Sequence, residues 1–274
     1  MKTILVATDF SKNSDNALKY AIDLAKWKNA KLILFHAYFL PVIPGEIPVQ
    51  YALEEIQNDA ILQLKKIADH IHTAHKDLQV EVQCRPGVAT VKILECAERN
   101  KVDLVVMGLR GTGYIAEKLI GSITTSLIQQ SHIPILVIND KIKFKPIQRI
   151  ALAFDYTEIK ADHMLPLLKD LSSGEDSKIY VFNVVKSELQ ATSSVTKAVE
   201  GMKLSRSIGG MPHSFHYSED EDIIHGINHF VKDQKIELLV MVPREHTPLY
   251  KLFNEPQTKR MAFHTSIPLL TIKE

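Results

Sequence analysis

The sequence predicts an α/β fold built twice: two doubly wound domains, each with a five-stranded, mainly parallel sheet. Three observations lead there. Short apolar runs alternate with amphipathic stretches through the first half. The pattern restarts near residue 147. Two segments of the first half then reappear in the second at a single offset.

The elements of the first half follow in order. Thr3–Thr8 reads as a buried strand, and Ser11 is placed to cap the amphipathic stretch Asn13–Trp27. Lys31–Tyr38 (KLILFHAY) is a second strand, followed by a proline-bearing loop over Pro41–Gln50 and a long helix over about Ala52–His75. Strand Gln79–Cys84, helix Val88–Asn100 and strand Asp103–Met107 come next, then a glycine-rich segment with helix Ile123–Gln130, and strand Ile133–Ile138. Apolar strands separated by helices make a parallel sheet covered on both faces. Right-handed crossovers then favour the doubly wound topology.

The repeat is explicit. IQRIALAFD (147–155) answers MKTILVATD (1–9), which sets Asp155 opposite Asp9. KIELLVM (235–241) answers KVDLVVM (101–107), and SIPLLTI (266–272) answers HIPILVI (132–138), both at an offset of 134. An internal duplication with a boundary near Asn139–Lys145 accounts for this, giving domains over 1–142 and 146–274.

Composition narrows the function classes. The chain has 274 residues, 45% of them hydrophobic and 24% charged, which suits a folded globular protein. With 33 basic against 32 acidic residues, neither nucleic acid nor an anionic membrane surface is indicated as partner, so any anion site must be local. The apolar run at the N-terminus is too short for a signal segment, and no run approaches a membrane span. Two cysteines without a CxxC pair suit a reducing compartment, and the expected location is cytoplasmic.

The chemistry concentrates after the fourth strand, in GLRGTGYIAEKLIGSITTSL (108–127). Gly108 lets the backbone approach a ribose or phosphate with no Cβ between. Gly111 is suited to positive φ and aims successive N–H groups into an anion-holding concavity. Gly121 and Ser122 open a helix whose free N–H groups and dipole favour phosphate, with the Ser122 and Thr124 hydroxyls as further donors. Ordinary turn and cap duty is the competing explanation for these glycines. Arg110 reaches either a phosphate or only solvent. Asp9, at the end of the first strand, would repel phosphate and so belongs at the nucleoside end, unless it merely caps the helix before Ser11. Ala37 leaves room for a flat base.

G-x2-G-x9-G-[S/T] after the fourth strand, with an aspartate closing the first, resembles the ATP-binding branch of the universal stress protein family, and the resemblance covers both halves. It implies a Rossmann-like fold with strand order 3-2-1-4-5. It also implies ATP or AMP, with or without Mg²⁺, held by Thr8, Asp9, Ala37, Met107, Gly108, Leu109, Arg110, Gly111, Gly113, Gly121, Ser122, Ile123 and Thr124. In that family two domains pair through their last strands; here Ile133–Ile138 and Ile267–Ile272 would do so as an internal pseudo-dimer, with a further homodimer left open.

The second copy departs from the motif. At the same offset Gly108 becomes Val242, Gly111 becomes Glu245, Gly121 becomes Glu255 and Ser122 becomes Pro256. Valine resists positive φ, the carboxylates would face phosphate, and Pro256 lacks an N–H. A like charge about 4 Å from a phosphate costs on the order of 4 kcal/mol at an effective dielectric of about 20. One nucleotide per chain is therefore expected, and Asp155 becomes a relic or a cap.

Rival chemistries find less support. There is no GxxxxGK[ST] sequence, and GGMPHS (209–214) precedes a third strand where a PP-loop would follow a first. His213 and His216 on a strand, with His225 and His229 on a helix face, lack the glutamate of a metalloprotease motif and point different ways, so no metal is expected. His70, His72 and His75 read as solvated, and Cys84 and Cys96 as buried thiols. No catalytic residue is assigned. Three functions remain: an adenine-nucleotide-binding regulatory protein of the stress response, a slow Mg²⁺-dependent ATPase using Thr124 or Asp9, and an interaction module with an empty pocket.

Overall fold

The structure, a computed structural model, describes residues 1–39, 49–109, 121–153, 164–174, 176–185, 194–208, 210–243 and 266–273. The chain divides into two compact units, one ending at Phe144 and the other taken up from Lys145.

In the first unit the elements run β1 (Thr3–Ala7), α1 (Lys12–Lys28), β2 (Lys31–Tyr38), α2 (Val49–Ala74), β3 (Val80–Pro86), α3 (Ala89–Arg99), β4 (Leu104–Gly108), α4 (Ser122–Gln130) and β5 (Ile135–Ile138). The strands pair in parallel in the order β3-β2-β1-β4-β5. All of β4 and β5 is buried, as strands covered on both faces must be. Helix α1 shows how the local signals work. Ser11 accepts the Ser14 N–H at 3.2 Å, Ala17, Leu18, Ala21, Leu24 and Ala25 form the buried stripe, and Asn29 ends the helix in the left-handed conformation at φ 50°. The Asn16 amide donates to the carbonyls of Asn139 and Ile142 at 2.7 and 2.9 Å, holding the segment beyond β5 against α1.

The second unit contains β6 (Arg149–Ala153), α5 (Met164–Leu171), β7 (Lys178–Val185), α6 (Ser194–Ile208), β8 (His213–Glu219), α7 (Ile223–Asp233), β9 (Leu238–Met241) and β10 (Leu269–Thr271). Its order, β8-β7-β6-β9-β10, repeats that of the first unit, again all parallel. The register repeats as well: Ile4 opposite Leu104 recurs as Ile150 opposite Leu238, and Val105 opposite Ile135 as Leu239 opposite Leu269. The α/β fold with strand order 3-2-1-4-5 is thus present in each half.

The last strand of each unit is shorter than expected. Pro134 and Pro268 have no N–H to give the ladder, so β5 and β10 begin one residue beyond them, while each proline carbonyl still accepts, from Val105 and Leu239, at 3.0 Å. Helix α2 begins earlier than expected, at Val49, and the loop residues before it lie outside the described residues. Among the described residues no helix is long and apolar enough to cross a membrane.

Candidate functional site

Parallel pairing puts the carboxyl ends of β2, β1 and β4 along one edge of the first unit. Ala7 stands opposite Phe35 on one side and Met107 on the other, so Thr8 and Asp9 emerge between the end of β2 and the Gly108–Leu109 exit of β4. The strand order reverses between β1 and β4, and open α/β sheets bind ligands at such a switch point.

Each component is anchored by the backbone. Thr8 is buried; its N–H donates to Phe35 O at 2.9 Å, its hydroxyl donates to Ser14 Oγ at 3.1 Å, and that same oxygen accepts from Phe10 N–H at 3.0 Å. Phe10 adopts φ 62° and lays its ring against His36, with centroids 4.5 Å apart. The His36 Nδ1 lies 2.8 Å from Thr8 O. Asp9 turns inward locally, accepting the Ser11 N–H at 3.1 Å through Oδ1. The N-cap of α1 is Ser11, and Asp9 holds the turn that precedes it. Ala37 lies two residues beyond the β1 pairing on β2, half-buried.

On the other side Gly108 ends β4, and Leu109 N–H donates to Ile138 O at 2.9 Å. Gly121 N–H donates to Leu109 O at 2.8 Å, which brings the start of α4 back to the exit of β4. Arg110, Gly111 and Gly113 lie outside the described residues. Gly121 is the N-cap of α4, with no side-chain cap and no acidic residue in the first turn. The helix thus presents N–H groups without a side-chain acceptor, at its positive end. Ser122 and Ile123 are exposed there.

Two details differ from the expected donor set. Thr124 is buried at 2% exposure, and its hydroxyl donates back to Gly108 O at 3.2 Å, so it ties helix to strand instead of facing outward. Thr125 likewise donates to Gly121 O at 3.1 Å. Neither Gly108, in extended β4, nor Gly121, at φ −61°, uses a left-handed backbone; among described residues the glycines with positive φ are Gly87, Gly174 and Gly210. What sets Gly108 and Gly121 apart is therefore only the absence of a Cβ. Accordingly Val242, the counterpart of Gly108, differs by bulk and not by φ, and it is buried. Asp155, Glu245, Glu255 and Pro256 lie outside the described residues.

The histidines do not converge. His213 Nε2 meets Ser205 Oγ at 2.8 Å, while His216, on the opposite face of β8, stacks on Tyr180. His225 pairs with Asp220 at 2.6 Å and His229 with Asp233 at 3.1 Å. Among described residues no cluster of His, Cys, Asp or Glu is arranged to hold a metal. Cys84 and Cys96 are buried free thiols, and burial raises both, Cys96 to about 11.

This geometry can be set beside known proteins. The model of the Universal stress protein family matches residues 1–139. A universal stress protein of Bacillus subtilis, YxiE, is 31% identical over 143 residues, covering 49% of this chain and 97% of its own length. Another from Methanocaldococcus jannaschii, MJ0531, is 29% identical over 144 residues, covering 50% of this chain and 81% of its own. Over the whole chain, the crystal structure of a universal stress protein from Archaeoglobus fulgidus aligns with a TM-score of 0.71 at 18% identity, covering 99% of this chain and 96% of that one. The chain belongs to the Universal stress protein family.

Proposed function

We propose that this protein is a regulatory adenine-nucleotide-binding protein of the stress response, holding one ATP or AMP per chain in its first unit. The observation that carries the reading is the start of α4. There an uncapped helix N-terminus, with no acid in its first turn, is drawn against the exit of β4 at the switch point of the sheet. Phosphates fit that end, where the helix dipole and N–H groups favour negative charge. The nucleoside fits the other end, near Asp9 and Ala37, where a carboxylate repels phosphate but accepts from a hydroxyl or amine. Arg110, Gly111 and Gly113 would complete the cradle.

Bound nucleotide would act as an occupancy signal. Asp9 supports binding without turnover, because its Oδ1 already accepts the Ser11 N–H and the carboxylate is held as a turn former. The second unit carries Val242 in place of Gly108, and its side chain is enclosed. Together with Glu245, Glu255 and Pro256 in sequence, this supports a single site.

Calorimetric titration of the full chain with ATP and with AMP tests the reading, with product formation followed in the same samples. One site per chain and no turnover is expected. Absence of binding, or two equivalent sites, would refute it.

A further inference from the structure

Two peptide planes meet at Asp9, and a side chain holds each of them. His36 Nδ1 lies 2.8 Å from Thr8 O. A carbonyl oxygen only accepts, so Nδ1 carries the proton and donates, which fixes the plane before Asp9. Phe10 N–H donates to Thr8 Oγ1 at 3.0 Å, which fixes the plane after it. The Asp9 carboxylate is oriented in turn by the Ser11 N–H, at 3.1 Å from Oδ1.

This arrangement costs backbone strain. Among the described residues, four other than glycine have positive φ. Three of them finish helices: Asn29 caps α1, while Lys101 and Lys235 follow the C-caps Asn100 and Gln234 of α3 and α7. A left-handed residue there closes a helix. Phe10, at φ 62°, closes none; it lies between β1 and α1, and a bulky side chain is poorly suited to that region. Such strain persists only where the surroundings over-determine it, and it gathers at functional sites. Here the surroundings include His36, whose ring lies against that of Phe10 at 4.5 Å between centroids, both residues half-buried. Thr8, Phe10 and His36 thus close a circuit of two hydrogen bonds and one ring contact around Asp9. The N–H groups of Phe10 and Ser11 are used within this turn, so neither is offered to a phosphate.

We propose that His36 and Phe10 are positioning residues for the nucleoside, acting through Asp9. The proposal rests on the nucleotide reading above and adds two residues outside the glycine motif that set affinity. A group held in its bound conformation beforehand spares the ligand an ordering cost. The circuit fixes Asp9 in that way, from both sides of its backbone. Because it surrounds Asp9 and not the start of α4, breaking it weakens ATP and AMP by the same factor.

Calorimetric titration of the full chain with ATP and with AMP tests this in three proteins: wild type, His36→Phe and His36→Asn. His36→Phe keeps a ring against Phe10 but removes the donor to Thr8 O. It should weaken both nucleotides alike, by about threefold to tenfold, the worth of one hydrogen bond. His36→Asn carries a donor near the Nδ1 position and should recover most of the loss. Should His36→Phe fail to fold, Phe10→Gly takes its place. Glycine accepts φ 62° without strain and keeps the N–H, so only the ring contact is lost, and an equal loss for both nucleotides is again expected. Nitrogen NMR of the wild-type imidazole should find the neutral ring protonated at Nδ1. Wild-type affinity in His36→Phe, a larger loss for ATP than for AMP, or a neutral ring protonated at Nε2 overturns the proposal and leaves the nucleotide reading standing. A wild type that binds neither nucleotide overturns both.

Discussion

Asp103 and Glu237 perform the same task in the two halves of the chain. The Asp103 carboxylate accepts the N–H groups of Lys2 and Thr3 at 2.6 and 2.8 Å; that of Glu237 accepts those of Gln148 and Arg149 at 2.7 and 3.1 Å. Each acid stands one residue before the fourth strand of its unit and pins the start of the first. In each unit the start of the first strand is thereby tied to the fourth by one side chain, across 101 residues of sequence in the first unit and 89 in the second. The chain turns into both acids the same way, since Lys101 and Lys235 adopt φ 49° and 51°.

Removing the charge at one of these clamps should therefore be costly in a pH-dependent way. Burial pushes the Glu237 carboxyl up, but the Gln148 N–H, the Lys145 ammonium and the Arg149 N–H outweigh it and hold it below its ordinary value. A carboxylate held low contributes stability above its unfolded pKa, and the contribution is lost as pH falls through the folded value. Glu237→Gln should destabilise the second unit by about 1–2 kcal/mol at neutral pH. Denaturant melts repeated below pH about 4 should show the gap to wild type closing.

His225 offers the opposite sign at an exposed site. The hydrogen bond that the His225 ring donates to the Asp220 carboxylate, then the charge of that carboxylate, raises the imidazole above its ordinary value. The favourable interaction is fully present below pH about 6.5 and disappears as pH rises through the folded value. An NMR titration should find His225 titrating higher than a free histidine, and Asp220→Asn should bring it back down. If the titration is the same in both proteins, the 2.6 Å pair in the structure does not persist in solution.

How much of this was legible in the sequence depends on where each partner lies. Strand positions and the duplication were readable, because a buried parallel strand must be continuously apolar and two segments recur at one offset of 134. Ser11 as a cap was equally readable, its acceptor role being local. The clamp by Asp103 was not, since its partners lie at the other end of the domain. The hydroxyl bond of Thr124 was not legible for the same reason: only packing against β4 shows that it reaches Gly108 O. The shortening of β5 and β10 did have a signal, in Pro134 and Pro268.

A glycine inside α7 makes a sharp test of packing against propensity. A Cβ added at Gly226 would lie 2.8 and 3.2 Å from the two methyl carbons of Val184 and 3.1 Å from Asp220 Cβ. Helix propensity favours alanine there by about 1 kcal/mol. Overpacking against strand β7 costs about 1–3 kcal/mol. Gly226→Ala should therefore destabilise, contrary to the usual direction, and the double variant with Val184→Ala should recover part of the loss in thermal melts.

Thr124 should act through position. Thr124→Val keeps the shape but removes the donor to Gly108 O, at a cost of about 1 kcal/mol. Because that bond fixes the start of α4 against β4, ATP affinity should fall several-fold with it. Thr124→Ser, which retains the hydroxyl, should restore both. Full affinity in Thr124→Val would mean that the helix is held adequately by the Gly121 N–H bond to Leu109 O alone.

Gly121 allows the nucleotide reading to be tested without confusing loss of site with loss of fold. Its φ of −61° and ψ of 149° are open to any L-residue, so substitution carries no backbone strain. Gly121→Ser supplies the missing cap and should stabilise α4 by a few tenths of a kcal/mol. Gly121→Glu sets a negative charge at the positive end of the helix, which favours the fold by about 0.3–1 kcal/mol but opposes phosphate at the same point. Stability and binding should consequently move in opposite directions: a melting temperature equal to or above wild type, with ATP binding lost in calorimetry. A Gly121→Glu protein that is folded and still binds ATP at wild-type affinity would remove the phosphates from the start of α4.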